Sequence, residues 1–426
     1  MKITYAKYKF ISSFTGELLI LISRVLNLFT KNKIVSFFYK RSFKNIKSKK
    51  TSQKKIWFYA SSVGEVGVCE ILIKEILKQK INLSFHVSVM TDSGYEIAMS
   101  NLLNLADISY SPIDSALNVK KAFQIIKPDI LCIIETELWP NLIFEAKKNK
   151  IPVIISNARI SNSSLKNYLK VKNLTQNILN LVDKFYAASF QDENNLLKLN
   201  CKKEKIIVTG NAKYDFSIDK NDTEKIQTTY KKFFGFTKND LILVCGSTRN
   251  GEEEILADVY KKLKKEFLNL KLIIVPRHLS RLDEITDILN QKNISFNLRT
   301  DKTNIFSDVI IINTMGELKK IYTIADLVFV GGSIKNFGGQ NILEPASLQK
   351  PVIFGRYMDH FKEISQIILN EKGGFEVLED NIYDVIKNLL KDNDLRKETG
   401  LNALKAVEKN KGAAKKQAQG ILKYLY

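Results

Sequence analysis

Histidine and cysteine are scarce in this chain of 426 residues, which contains three histidines and four cysteines. The cysteines Cys69, Cys132, Cys201 and Cys245 lie far apart, form no Cys-x-x-Cys pair and have no histidine nearby at metal-ligand spacing. The sequence therefore argues against a histidine- or cysteine-based metal site, and we expect no metal. The same pattern favours a reducing, cytosolic compartment over an oxidising one.

Acidic residues are nearly absent from the first 55 residues, where 14 Lys or Arg residues accompany the single acid Glu17. The whole chain has a formal net charge of +21, so we expect acidic partners such as phosphates or anionic lipid. Nucleic acid is an alternative partner for the basic run. No RNP, zinc-finger or helix-turn-helix pattern accompanies it, and we expect no nucleic-acid partner.

The sequence also lacks a uniformly apolar run long enough to cross a bilayer. Its most apolar stretch near the N-terminus, residues 11–29, contains Glu17 and Arg24. On a helical wheel the polar residues share one side and the large apolar residues share the other, with Ile20 as the main exception. This pattern favours a helix in the membrane interface, and the basic and aromatic residues 31–50 suit an anionic headgroup layer. The alternatives are a helix that spans the membrane and a helix packed on its own domain.

Short β-branched runs alternate with helical stretches from residue 56 onwards, which predicts parallel sheets covered by helices on both faces. The polar residues 214–227 separate two groups of strands. We therefore predict an α/β protein with a membrane-associating segment, residues 1–50, and two doubly wound domains, residues 51–220 and 221–426. Ligands bind such sheets at the carboxyl ends of the strands. The predicted strands cover residues 56–60, 84–90, 129–134, 151–156, 184–189, 205–210, 241–247, 271–276, 308–313, 326–333 and 351–355.

Four charged residues follow predicted strands of the first domain. Glu65, in SSVGE, lies at a helix start, where the helix dipole lowers the pKa of a carboxyl, and it serves as either a cap or a general base. Glu135 and Glu137 belong to ETELWPN, which follows a buried strand. Pro140 begins a helix and Glu137 lies near its positive end, but a buried Glu135 requires a partner. Lys213 lies in GNAKYD, just past another strand.

The second domain contains candidate phosphate-binding residues. Arg277 ends the strand IIVPRH, and a guanidinium matches two phosphate oxygens. In GSTRNGEEEIL, the acids Glu252, Glu253 and Glu254 are accounted for by the dipole of the helix that they begin.

A glycine-rich window, FVGGSIKNFGGQNILEPASL, follows a later strand. Backbone N–H groups of Gly331–Ser333, and of Gly338 and Gly339 at a predicted helix start, are suited to phosphate. Asn341 and Glu344 are one turn apart and face one ligand. The alternative is two ordinary loops.

The motifs SSVGE, ETELWPN, NARIS, GNAKYD, PRH, TMGEL, FVGGS and GGQNILEPA occur in this order. Over residues 56–365 this series resembles the Kdo (3-deoxy-D-manno-octulosonic acid) transferases of lipopolysaccharide synthesis. The resemblance implies a GT-B glycosyltransferase with two facing Rossmann-like domains. It also implies CMP-Kdo as donor, lipid IVA as acceptor, no metal and no cofactor, and attachment to the cytoplasmic side of the inner membrane through residues 1–50.

The resemblance also implies roles for individual residues. Glu65 matches the base that deprotonates the acceptor hydroxyl, and Glu135 and Lys213 match residues that stabilise the transition state of an inverting displacement. Gln340 departs from the family pattern, which has histidine there. The positions that match the CMP-binding residues are Pro276, Arg277, Met315, Gly316, Glu317, Asn341 and Glu344.

Other functions remain open at this point. One is another membrane-associated GT-B transferase with a different nucleotide-sugar, and a second is a sugar-nucleotide epimerase, which has no need of a basic amphipathic N-terminus. A membrane-tethered nucleic-acid-binding protein and a catalytically inactive scaffold are the remaining rivals. The presence of Glu65, Glu135 and Lys213 argues against the scaffold.

Overall fold

The computed structural model describes residues 4–30, 32–42, 52–215, 220–301 and 307–426, with the side chains of residues 220–222 left out. The chain divides into two compact units. The first comprises Met1–Asp215 and Lys411–Tyr426, and the second comprises Phe216–Asn410. The C-terminal segment thus belongs to the first unit, although the sequence placed it in the second domain. Part of the predicted membrane segment, residues 43–50, and part of the predicted connection, residues 216–219, lie outside the described residues.

The first unit contains a parallel sheet, for which the described residues supply seven strands in the order β3-β2-β1-β4-β5-β6-β7. The strands are β1 (Lys54–Ala60), β2 (Leu83–Val89), β3 (Asp107–Tyr110), β4 (Ile130–Ile134), β5 (Val153–Ala158), β6 (Lys184–Ala187) and β7 (Ile206–Val208). The helices are α1 (Tyr5–Leu26), α2 (Lys33–Lys40), α3 (Val63–Leu77), α4 (Asp92–Leu102), α5 (Ala116–Ile126), α6 (Pro140–Lys148), α7 (Asn162–Lys170), α8 (Lys172–Leu181) and α9 (Phe190–Lys198). Short 3₁₀ turns cover Lys203–Lys205 and Ala212–Asp215.

The second unit contains another parallel sheet, again with seven strands among the described residues, in the order β10-β11-β9-β8-β12-β13-β14. The strands are β8 (Leu241–Thr248), β9 (Leu270–Pro276), β10 (Asn297–Leu298), β11 (Val309–Ile311), β12 (Leu327–Val330), β13 (Val352–Gly355) and β14 (Gly374–Val377). The helices are α10 (Lys220–Phe233), α11 (Glu252–Leu263), α12 (Leu282–Gln291), α13 (Leu318–Ile324), α14 (Leu343–Ser347), α15 (Lys362–Asn370), α16 (Ile382–Lys391) and α17 (Asn393–Glu408). The 3₁₀ turns are Leu279–Arg281 and Asp359–Phe361, and the last helix, α18 (Ala413–Leu422), packs on the first unit.

Burial on both faces explains why the central strands are almost continuously apolar. In β1, Trp57 and Tyr59 belong to the core on one side of the sheet, whereas Ile56, Phe58 and Ala60 belong to the core on the other side. Helices cover both faces, as expected for parallel sheets. The α/β fold with two doubly wound sheets is confirmed, and all eleven predicted strands are present.

Helix α1 turns its polar side toward the first unit. The carboxylate of Glu17 accepts hydrogen bonds from the Ser115 hydroxyl and from the Asn118 backbone N–H, at 3.2 Å for the latter. The Ser13 hydroxyl accepts one from the backbone N–H of Ala116 at 3.1 Å. This orientation is the reverse of an ordinary surface helix, whose apolar side faces the core.

The opposite side of α1 is apolar and exposed. Ile20, the exception on the polar side, is 2% exposed and packs inward, whereas Ile11 is 57% exposed. In the described part of the chain, no helix has the length and apolar character needed to cross a membrane. The exposed apolar residues of α1 and the turn after it are Phe10, Ile11, Phe14, Leu18, Leu19, Leu21, Ile22, Val25, Leu26, Leu28 and Phe29.

A buried carboxylate, Asp114, connects α1 with the start of α6. It accepts a hydrogen bond from the Tyr8 hydroxyl at 2.8 Å and from the backbone N–H groups of Asn141 and Leu142 at 3.1 and 2.9 Å. Burial raises the pKa of Asp114 to about 6, although these hydrogen bonds favour its ionised form. Through Asp114, the surface on which α1 packs is therefore joined to the loop that ends at Pro140.

The 3₁₀ turn Ala212–Asp215 connects with α18. The Asp215 carboxylate accepts hydrogen bonds from the backbone N–H groups of Gly412 and Ala414, so that it caps this helix. Gly420 gives room for the Tyr186 ring, which a Cβ at that position would overlap. These contacts explain why the end of the chain belongs to the first unit.

Replacing Ile20 by alanine tests how α1 packs on the rest of the first unit. We expect Ile20→Ala to weaken the docking of α1 by about 3 kcal/mol, because a buried side chain leaves a cavity. Ile11→Ala, a matched change on the exposed side of the same helix, is expected to cost no more than about 0.5 kcal/mol. Amide hydrogen exchange within residues 5–26 should therefore accelerate roughly hundredfold in the first variant only. Equal exchange in the two variants would show that Ile20 does not hold the helix.

Candidate active site

The three candidate residues of the first unit follow strands of one parallel sheet. Glu65 follows β1, Glu135 follows β4, and Lys213 follows β7. Because β1 and β4 are neighbours at which the strand order reverses, their carboxyl ends flank a topological switch point. Lys213 and Glu135 are in direct contact. The structure therefore brings together the residues that the sequence singled out in this unit.

Glu65 is a buried carboxyl in the first turn of α3. The Ser61 backbone N–H donates to Oε2 at 2.6 Å, and the Ser62 hydroxyl donates to Oε1 at 3.0 Å. Burial and, secondly, the negative charge of Glu135 raise the pKa of Glu65 to about 8, although both hydrogen bonds act in the opposite direction. The lowered pKa predicted from the helix dipole is wrong, because loss of hydration outweighs the dipole. Such a group is suited to general base catalysis near neutral pH.

Glu135 is half-buried, and its partner is Lys213. Its backbone has a positive φ of 57°, and its N–H donates to the carbonyl of Ser156 in β5 at 2.9 Å. Oε1 lies 2.8 Å from Lys213 Nζ and 4.0 Å from a guanidinium nitrogen of Arg159. A left-handed backbone at a non-glycine residue is strained and is typical of functional sites. The carboxylate thus has the partner that its position demands.

The backbone around Lys213 is fixed by two asparagine side chains. Oδ1 of Asn211 accepts a hydrogen bond from the backbone N–H of Lys213 at 3.0 Å, and Oδ1 of Asn157 accepts one from Ala212 at 2.8 Å. Nζ of Lys213 lies 3.5 Å from the position that a Cβ on Gly64 would take. The ammonium group therefore lies beside the turn that carries Glu65.

Glu137 and Trp139 complete this edge of the sheet. Burial, together with the negative charge of Glu135, raises the pKa of Glu137. Trp139 precedes α6, and its ring centroid lies 6.2 Å from that of Tyr59 in the core. Three carboxyl groups thus lie close to one another, and Lys213 contributes a positive charge among them.

The candidate residues of the second unit likewise follow neighbouring parallel strands. Pro276 and Arg277 lie at the end of β9, and residues 315–317 follow β11. Residues 338–344 follow β12. These strands and β8 are consecutive in the sheet, and the strand order reverses between β8 and β12. The predicted positions at strand ends are therefore present in this unit too.

A cationic group at the ends of β8 and β9 includes Arg249, which the sequence analysis did not single out. The Arg277 backbone N–H donates to the carbonyl of Thr248 at 3.1 Å, so the two arginines are on adjacent backbones. A guanidinium nitrogen of Arg249 lies 2.7 Å from Nε2 of His278. Burial and the charge of Arg277 lower the pKa of Arg249. The sequence signal that could have identified Arg249 is its position just after a predicted strand, in GSTR.

The Glu252 carboxylate accepts hydrogen bonds from two of the backbone N–H groups that the sequence had assigned to phosphate. This carboxylate is 0% exposed and accepts hydrogen bonds from Gly332, Ser333 and Ile334 at 2.7 to 3.0 Å, and from Arg249 at 2.9 Å. Glu252 therefore holds the glycine-rich loop in place, a role that the helix dipole alone does not explain. The prediction that Gly331–Ser333 offers its N–H groups to phosphate is wrong, because Glu252 binds those of Gly332 and Ser333 and the Gly331 N–H donates to the carbonyl of Gly246 at 2.8 Å.

The predicted helix start at Gly338 and Gly339 is also wrong. Helix α14 begins only at Leu343 and has five residues, and the Gly339 N–H donates to the carbonyl of Gly332 at 2.7 Å. Both glycines have positive φ values, of 80° and 78°. A Cβ at Gly338 would lie 2.6 Å from the His360 ring, so the loop requires glycine there for steric reasons too.

Asn341 and Glu344 lie next to each other, as their spacing predicted. Nδ2 of Asn341 donates to Oε1 of Glu344 at 3.2 Å. In the neighbouring TMGEL motif, Met315 is 61% exposed and Gly316 has a φ of 82°. Glu317 forms an ion pair with Arg299, with 3.0 Å between Oε2 and Nε. Glu317 therefore has a structural partner within its own unit.

Comparison with known proteins agrees with this arrangement. Residues 38–216 match the family model described as 3-deoxy-D-manno-octulosonic-acid transferase (kdotransferase). The chain is 31% identical over 375 residues to a 3-deoxy-D-manno-octulosonic acid transferase of Haemophilus influenzae, covering 87% of each chain. It is 37% identical over 366 residues to a bifunctional glycosyltransferase/methyltransferase of Fusobacterium nucleatum, covering 84% of this chain and only 56% of that relative.

Solved structures show the same fold at lower sequence identity. A glycosyltransferase from Rickettsia africae has a TM-score of 0.56 at 17% identity, over 88% of this chain and 99% of its own. A UDP-GlcNAc 2-epimerase from Neisseria meningitidis has a TM-score of 0.57 at 16% identity, over 87% of this chain and 99% of its own. These likenesses establish the fold alone, which transferases and epimerases share.

Two parallel sheets, each with seven strands among the described residues, give the chain the GT-B fold, and its sequence relatives make it a glycosyltransferase. The sequence relatives are more specific than the fold. The chain belongs to the 3-deoxy-D-manno-octulosonic acid (Kdo) transferase family.

Replacing Glu252 by glutamine tests the internal anion in the glycine-rich loop. We expect Glu252→Gln to lower the free energy of unfolding by about 3 kcal/mol, because an amide has one acceptor oxygen and adds a donor among N–H donors. Glu254→Gln is the matched control, since it starts the same helix with a 66% exposed side chain, and should cost less than about 0.5 kcal/mol. Urea denaturation measures both. Equal stabilities would disprove this role for Glu252.

Proposed function

We propose that this protein transfers Kdo from CMP-Kdo to lipid IVA at the cytoplasmic face of the inner membrane. The reaction is a metal-independent inverting displacement with Glu65 as general base. The observation that carries the proposal is the buried Glu65 carboxyl, whose pKa is raised to about 8, beside the Glu135–Lys213 ion pair. The family relationship supplies the chemical class of the donor.

Glu65 removes the proton from the acceptor's primary hydroxyl as that oxygen attacks the anomeric carbon of Kdo. A carboxyl with a pKa near 8 holds the proton more strongly than an ordinary glutamate, so that it is a better base. The bond from the anomeric carbon to the CMP phosphate breaks at the same time, and CMP leaves as a phosphate anion that needs no general acid. A single displacement inverts the anomeric centre.

Glu135 and Lys213 support this step electrostatically. Lys213 supplies a positive charge for the anion that develops as CMP leaves. Glu135 holds Lys213 Nζ at 2.8 Å, and its negative charge contributes to the raised pKa of Glu65. Removal of Glu135 would therefore affect both the lysine and the base.

The second unit holds the CMP moiety in this proposal. Arg277 binds the phosphate, and Asn341 and Glu344, whose side chains touch, bind the nucleoside. The backbone of the Gly338–Gly339 loop also contacts the ligand in this proposal. The remaining proposed contacts come from Pro276, Met315, Gly316 and Glu317.

The apolar side of α1 supports attachment to a membrane surface. Its polar side is hydrogen-bonded to the first unit, so that large apolar side chains are left exposed along the helix. Apolar residues beside a lysine-rich segment suit an anionic lipid surface. The proposed acceptor is itself an amphiphile, and attachment would hold the enzyme where that acceptor is found.

Activity as a function of pH tests the role of Glu65. Because the base acts in its ionised form, we expect kcat/KM for Kdo transfer to rise with pH through about 8. Ser62→Ala removes a hydrogen bond to the carboxylate and is expected to move this limb to higher pH. Glu65→Gln should lower kcat by about 1,000-fold without changing CMP binding.

The control for this experiment is Glu75→Gln, which removes a carboxylate toward the other end of α3, where Glu75 pairs with Lys78. Its kcat is expected to match that of the unaltered protein. Incubation with CMP-Kdo and lipid IVA, followed by mass spectrometry, measures transfer. Substantial activity of Glu65→Gln would refute the general base. Use of another nucleotide-sugar in place of CMP-Kdo would favour the rival GT-B transferase.

Substitutions on the exposed side of α1 test membrane attachment. The triple variant Phe10→Ser, Phe14→Ser, Leu21→Ser is expected to bind phosphatidylglycerol-containing vesicles at least about tenfold more weakly, because each large side chain buries apolar area in the membrane. The matched control Leu103→Ser, Leu268→Ser, Leu401→Ser changes three exposed leucines elsewhere. Vesicle sedimentation measures both, and equal binding by the two variants would contradict attachment through α1.

A further inference from the structure

We propose that Arg249 binds the carboxylate of the donor's sugar, next to the phosphate bound by Arg277, and thereby selects nucleotide-activated sugar acids. The inference rests on the proposed function, because it names a further contact of the same donor. It arises from a cation that the sequence motifs did not assign and that the structure places at the ends of β8 and β9.

The first argument is an excess of positive charge at this edge of the second sheet. Arg281 is neutralised by Glu253 and Glu284, with nitrogen-to-oxygen distances of 2.8 Å to each. Among the described residues, neither Arg249 nor Arg277 forms an ion pair with a carboxylate. Two neighbouring guanidinium groups repel each other, and a bound anion removes this cost.

The second argument is that Arg249 is held in place before any ligand binds. Its backbone N–H is bound by the buried carboxylate of Glu252 at 2.9 Å. Its guanidinium lies 5.4 Å from the centre of the Phe337 ring and contacts His278 through one nitrogen. A guanidinium that is already held in place loses less conformational freedom when it binds a charged acceptor.

His278 contributes as a neutral ring. Burial and the charges of Arg249, Arg277 and Arg281 lower its pKa, so that the ring is uncharged at neutral pH. Nε2 then accepts the hydrogen bond from Arg249, since a guanidinium has donors only. His278 thereby orients Arg249 without adding another positive charge.

The chemistry of the donor identifies the anion. In CMP-Kdo the anomeric carbon carries both the phosphate oxygen and a carboxylate, so two negative groups lie next to each other on one centre. One guanidinium fork matches two oxygens of a single anion, and two anions call for two arginines. Ordinary aldose donors have no carboxylate at that carbon. Arg249 would therefore distinguish sugar acids from such donors, while Arg277 binds the phosphate that all of them contain.

Separate measurements of CMP and CMP-Kdo test this assignment in the full-length protein. We expect Arg249→Gln to raise KM for CMP-Kdo at least about tenfold, because a charge-assisted hydrogen bond is lost. The Kd for CMP, measured by calorimetry, should change less than about twofold, since CMP has no sugar carboxylate. Arg249→Lys keeps the charge without the guanidinium fork, so its KM for CMP-Kdo should lie between those of the unaltered protein and of Arg249→Gln.

The control is Lys265→Gln, which removes the same charge just beyond the C-terminal end of α11, whereas Arg249 precedes its N-terminal end. KM should be unchanged there. If Arg249→Gln weakens CMP and CMP-Kdo equally, Arg249 lies on the phosphate and the inference is overturned. An unchanged KM overturns it as well. Failure of the unaltered protein to use CMP-Kdo would overturn the proposed function itself, which distinguishes the two outcomes.

Discussion

Repulsion among carboxylates at one edge of the first sheet is the constraint on which the candidate site depends. Glu65, Glu135 and Glu137 lie together there, and Lys213 provides the positive charge in direct contact with Glu135. Lys213 belongs to the same 3₁₀ turn as Asp215, which caps α18. The C-terminal helix therefore helps to hold the turn that supplies the lysine, and the raised pKa of Glu65 follows from the same crowding and burial.

The N-terminal helix is held by hydrogen bonds from its polar side as well as by the buried side chain of Ile20. Glu17 and Ser13 bond to the start of α5, and Tyr8 bonds to Asp114. Asp114 also accepts hydrogen bonds from the first turn of α6. Helix α1 and the end of the ETELWPN loop are therefore bound by the same carboxylate. The helix with the exposed apolar side is thus connected to the loop that carries Glu135.

Most strands could be predicted from the sequence, and the exceptions have a common cause. The missed strands β3, β10 and β14 all lie at sheet edges. They are short and partly exposed, so they lack the continuous apolar run of a central strand. The prediction for the glycine-rich loop failed for another reason. Its N–H groups bind Glu252, and the partner of a backbone donor is a tertiary contact that motif spacing does not reveal.

By itself, the sequence determined the fold class, the positions of the candidate residues at strand ends, the two-sided character of α1 and the family resemblance. These properties depend on local patterns of apolar and polar residues and on motif order. Only the tertiary structure decided that the polar side of α1 faces inward, that Lys213 pairs with Glu135 and that Arg249 belongs to a cationic group. It also decided the direction of the Glu65 pKa shift, because burial and neighbouring charges depend on residues distant in the chain.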